Sequence, residues 1–199
     1  MLNATFVRTV GERDRIYVTR SDGSVVSWVF PTYGDVPPHD MIHLIVESAF
    51  GVTQGFWGRV DAGADPGVIA ARANRISGGN KYAAFGDDLS GLQLAEALAN
   101  PGWLINDNSA EALQNQIVAA CRKARVAMPV LLSTERTAQV RTVLRHLARQ
   151  WRGLNPKGAI QLLFYPQEPR RGFEQLLRDD AVQQEAVGAN MMRKGGSHE

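Results

Sequence analysis

Residues 5–10, 15–20 and 25–30 are three short runs rich in β-branched and aromatic side chains, and the one later run of that kind is 159–165. Strands gathered near one end of a chain whose remainder has helical periodicity select an α+β fold over alternating βαβ units. Ser21-Asp22-Gly23-Ser24 supplies turn chemistry between the second and third runs, so these predict an antiparallel meander. The 159–165 run is expected to complete the same small sheet, with several helices packed against it. Between Pro31 and Pro38 the strand pattern breaks, and Asp35 is the expected N-cap of a helix over about 37–50. Gly51 suits the C-terminal cap of that helix, and Gly55-Phe56-Trp57-Gly58 reads as a tight loop whose two aromatics pack on it.

A chain of 199 residues with 44% hydrophobic and 21% charged side chains can bury one sizeable core, which argues against wholesale disorder. Its net charge of +2 does not by itself point to nucleic acid or an anionic membrane. A single cysteine, Cys121, excludes an intramolecular disulfide framework and a cysteine-rich zinc site, and is expected to pack inside a helix. The N-terminal residues lack a basic segment followed by an apolar one, and no stretch is apolar enough to span a membrane, so a cytoplasmic location is expected. The periodicity predicts short helices over 65–76 and 90–100, and a longer one over 109–125, with a loop over 77–90. We expect a single domain over 1–166, followed over 167–199 by a peripheral helix, near 173–187, and a loose tail.

The helix over 37–50 carries the chain's most distinctive chemistry. With His39 as the origin and about 100° per residue, His43 falls near 40°, Glu47 near 80° and Asp40 near 100°, so two imidazoles and two carboxylates share one arc. A solvated helix face normally includes Lys, Arg or Gln. This arc has none, and imidazole with carboxylate is the donor set for borderline divalent metals such as zinc. His39 and His43, four residues apart, can reach one ion. Glu47 is the nearest third ligand, although its Cα lies about 12 Å along the axis from that of His39. An alternative makes Glu47 the partner that orients His43, with the missing ligand drawn from Asp61, Asp65, Asp87 or Asp88. Asp40 or Glu47 would then handle a proton. A purely structural reading is also open: Asp40 complements a helix N-terminus, and His43 with Glu47 forms an exposed (i, i+4) pair.

The His39-Asp40-Met41-Ile42-His43 segment resembles the H-E-x-x-H motif of zincin metalloproteases, with Asp40 where those enzymes carry the water-activating glutamate. Aspartate is one methylene shorter, which argues against proteolysis by the same geometry. The wider string, continued through Glu47 to Gly58 and joined by Trp151-Arg152-Gly153-Leu154 and Gly158 ahead of a strand, resembles a motif of uncharacterised bacterial proteins. That resemblance covers about half the chain and implies no activity.

A second feature lies on residues 134–152, where Val140, Val143, Leu144, Leu147 and Trp151 share one helical face and Arg141, Arg145, Arg149 and Arg152 another. Trp57 and Trp151 are expected as core anchors, and His146, between the two faces, as packing or surface. Two function classes follow. In the first the chain is a metal-dependent hydrolase acting on a small molecule or peptide through His39, His43 and Glu47 as ligands, with Asp40 and Glu47 as proton carriers. In the second it is a noncatalytic module whose arginines contact nucleic acid or an acidic protein. The rarer His/carboxylate arc favours the first.

Overall fold

The computed structural model describes residues 1–9, 13–30, 34–66, 89–105 and 108–179. Strands β1 (Leu2–Val7), β2 (Arg15–Thr19), β3 (Val25–Val29) and β4 (Ala159–Phe164) form one antiparallel sheet in the order β3-β2-β1-β4. The expected meander and the returning late strand are both present, which makes the fold α+β. Register is fixed by period-two burial: Ala4 pairs with Val18 and Leu162, and Phe6 with Ile16 and Ile160. All six of those side chains are buried. The first strand begins at Leu2, earlier than expected, because Leu2 and Ala4 extend the buried face opposite Phe164 and Leu162.

Six helices accompany the sheet among the described residues: α1 (His39–Phe50), α2 (Phe56–Asp61), α3 (Ser90–Ala99), α4 (Ala110–Ala124), α5 (Thr134–Gly153) and α6 (Pro169–Leu177). Helix α1 is central and packs against α2, α3, α5 and α6, so every residue from Met41 to Phe50 is buried. This encirclement accounts for a segment that is apolar almost all round. Gly51 ends α1 in the left-handed conformation, with φ of +73°, as a glycine cap does. At the other end Pro38 takes the N-cap position without a side-chain bond. Asp35 does not cap; its carboxylate pairs with Arg8 at 2.6 Å, since a guanidinium across the fold is a stronger partner than a first-turn amide.

Two further expectations are corrected. Phe56–Asp61 is helical, whereas Gly55-Phe56-Trp57-Gly58 was expected to form a tight loop. The C-terminal helix starts at Pro169 and is not peripheral, because Phe173 inserts into the core and α6 lies on α1. Cys121 on α4 is buried, as are Trp57 and Trp151. No helix among the described residues is long and apolar enough to cross a membrane. The helix expected over 65–76, the loop over 77–90, and the tail with His198 lie largely or wholly outside the described residues.

Candidate metal centre

Central position turns the polar arc of α1 into buried chemistry. His43 is 4% exposed and Glu47 wholly buried, so the exposed-pair reading does not hold. Nδ1 of His43 lies 3.3 Å from Oε1 of Glu47, an approach off the line of a well-formed hydrogen bond. The Glu47 carboxylate also accepts the backbone N–H groups of Phe56 and Trp57, each at 3.0 Å. Those are first-turn amides of α2. Glu47 therefore caps α2 from a neighbouring helix, which makes 56–61 helical despite its loop-like composition. Gly55 is required beside it, since a Cβ there would meet the Glu47 carboxyl carbon at 2.5 Å.

The Nε2 side of His43 faces elsewhere. Oε1 of Glu96, on α3, lies 3.9 Å from it, and the His39 ring stacks edge-on with a centroid separation of 4.8 Å. One donor atom each from His39, His43 and Glu96 fall within 4.8 Å of one another. Donors bonded to one ion at about 2.1 Å in a tetrahedral site sit about 3.4 Å apart, so closure needs movements of about an ångström. His39 and Glu96 are only partly buried and can make them, while His43 stays fixed. Asn100 Nδ2 donates to the other Glu96 oxygen at 3.2 Å, which orients that carboxylate.

Asp40 stands at the edge of this cluster. Trp28 Nε1 donates to its Oδ2 at 2.9 Å, and Trp57 Nε1 donates to its backbone oxygen at 2.9 Å. Burial pushes the Asp40 carboxyl above the usual aspartate range, with the Trp28 bond and the two imidazoles opposing. Burial likewise raises Glu47, against the pull of His43 and the two backbone amides. For His43, burial disfavours the imidazolium, but Glu47, Glu96 and Asp40 together outweigh it and hold the pKa above 6.5.

The sequence-predicted residues thus separate. His39 and His43 come together, whereas Glu47 is set behind His43 with both oxygens engaged and is not one of the three grouped donors His39, His43 and Glu96. Asp61 does not join them; it accepts the backbone N–H of Ser21 at 2.7 Å. Asp65 is not in the cluster either, and Asp87 and Asp88 fall outside the described residues. Sequence reasoning missed Glu96. Its signal is that it is the one ionisable side chain in α3, among the buried Leu92, Ala95, Ala97, Leu98 and Ala99. On the far side of α5, Arg145, Arg149 and Arg152 line a cavity together, while Arg141 is not among its lining residues. Compared with protein-family models, curated proteins and solved structures, the chain matches none.

Helix α3 is held in place by a close approach. A Cβ on Gly91 would collide with the backbone oxygen of Gln54. Gly91→Ala should therefore lower stability by about 1–3 kcal/mol, the range for overpacking, in a urea titration. A change within a few tenths would mean that the loop yields freely.

Proposed function

We propose that this protein is a metal-dependent hydrolase whose divalent cation, most simply zinc, is held by His39, His43 and Glu96. The observation that carries the reading is the two-sided engagement of His43, with Nδ1 against buried Glu47 and Nε2 toward the partly exposed Glu96. A carboxylate behind a ligating imidazole fixes the tautomer and raises the basicity of the other nitrogen. Two histidines and one carboxylate form the donor set of open catalytic zinc sites. A cation held by these residues would supply Lewis acidity and make water a stronger acid at neutral pH. Glu47, 3.3 Å from Nδ1, is the group that would hold a proton there once Nε2 is given to a cation. Asp40, steadied by Trp28 and shifted toward neutral pH by burial, is the group placed to take a proton from a nucleophile. Trp28 and Phe56, packed edge to face 6.1 Å apart, and Trp57 form an apolar wall that keeps the local dielectric low.

The test is zinc titration of untagged, chelator-stripped protein beside the His39→Ala/His43→Ala variant. One equivalent taken up by the wild type and none by the variant is expected, and equal uptake by both would sink the reading. Uptake should also depend on acid. A proton and the cation compete for Nε2, and the raised pKa of His43, faced by Asp40, Glu47 and Glu96 and stacked on His39, keeps the proton bound to higher pH than in a free imidazole. Affinity should then fall about tenfold per pH unit through and below the ordinary histidine value of about 6.5. A flat profile from about pH 8 to 5.5 would contradict this.

A further inference from the structure

The arginine stripe of α5 is one wall of a cavity of about 330 Å³, whose opposite wall includes Asp35, Pro37 and Leu104. Arg145, Arg149 and Arg152 stand at i, i+4 and i+7, so one helical face brings all three to the cavity, where Arg145 also donates to the backbone oxygen of Ile105 at 3.4 Å. Among the described lining residues the carboxylate is that of Asp35, and Arg8 pairs with it at 2.6 Å. The same Arg8 donates to the backbone oxygens of Trp151 and Arg152, each at 2.7 Å. It thereby covers the negative end of α5, which would otherwise repel an anion.

We infer that this cavity binds the phosphate group of a small phosphorylated molecule. The guanidinium fork matches phosphate oxygens, and three such groups suit a dianion better than a single carboxylate. The volume lies at the lower end for small-molecule sites and is bordered by side chains from separate segments, a compact hollow and not the extended groove that tracks a nucleic acid strand. Pro37 is two residues before His39, so their Cα atoms are at most about 7 Å apart. If the metal site is as proposed, a phosphate held here is the handle of a substrate whose reacting bond lies at the cation.

The first probe is inorganic phosphate, titrated calorimetrically into chelator-stripped protein. Saturable binding is expected in the wild type and in His39→Ala/His43→Ala, weakened at least about tenfold in Arg149→Gln/Arg152→Gln, whose side chains are exposed and whose replacement should leave the fold intact. Binding that is absent, or that survives loss of the two arginines, overturns the inference. A single-stranded oligonucleotide that binds far more tightly than phosphate, with steep salt dependence, overturns it in favour of nucleic acid. The second probe is phenyl phosphate added to the cobalt-loaded wild type. A shift in the visible cobalt spectrum, with half-saturation displaced about tenfold by Arg149→Gln/Arg152→Gln, supports the handle, and phosphate binding with an unmoved spectrum overturns it. Failure to load cobalt overturns the metal reading alone, because the phosphate titration uses metal-free protein.

Discussion

Glu47→Ala is expected to destabilise the protein by about 3–5 kcal/mol, the range for removing one partner of a buried charge pair. Three losses combine. The backbone amides of Phe56 and Trp57 lose their acceptor in the interior, His43 loses the group opposite Nδ1, and a carboxyl-sized void opens beside Gly55. An orphaned buried amide alone costs about 1–3 kcal/mol. Glu47→Gln should be milder, at about 2 kcal/mol, because its single amide oxygen can accept from one amide while its NH2 group confronts the other. Gly55→Ala is an independent check that leaves Glu47 in the chain but drives a methyl group into its carboxylate. Guanidinium denaturation measures all three. A loss under about 1 kcal/mol for Glu47→Ala would mean that water or another acceptor replaces the carboxylate, and the capping account of α2 would fall.

The fate of these residues explains what the sequence could reveal. The sheet was legible because its signal is local: side chains alternate with period two, and register follows from burying one face. Helix α1 was legible for a similar reason, with Gly51 marking its end. Helix α2 was not, because its cap is a side chain contributed by another helix, and no window on residues 55–58 contains it. Asp35 failed as a cap for the converse reason, since Arg8, distant in sequence, claims its carboxylate. The pair His39 and His43 could be read from helical spacing, but the candidate third donor, Glu96 on α3, depends on how α1 and α3 cross. A lone glutamate in an apolar helix was the available hint. The arginine face of α5 was equally plain. Its meaning as a cavity wall required the turn ahead of α1, which periodicity cannot place.

Metal affinity should rank substitutions in an order that separates ligand, orienting group and proton carrier. Glu47→Gln keeps all three donor atoms and weakens the partner behind His43, so a loss of about 10–100-fold is expected, as for other groups that orient a ligating imidazole. His43→Ala and Glu96→Ala each delete a donor and should exceed that range. Two remaining groups cannot close a three-ligand site, and an added water replaces an anionic carboxylate poorly. Asp40→Asn should leave affinity within about threefold while lowering turnover by about 10²–10⁴-fold, the usual contribution of a general base. These outcomes are read by competition with a fluorescent zinc chelator and, for turnover, on a chromogenic ester. The comparison between Glu96→Ala and Glu47→Gln is decisive. If the two lose the same modest factor, Glu96 is a second orienting group on Nε2, not a ligand. His39 and His43 would then lack the carboxylate that makes them a catalytic centre. If Glu96→Ala instead matches His43→Ala, the crossing of α1 and α3 is what builds the site, and Gly91→Ala should weaken metal binding as well as stability.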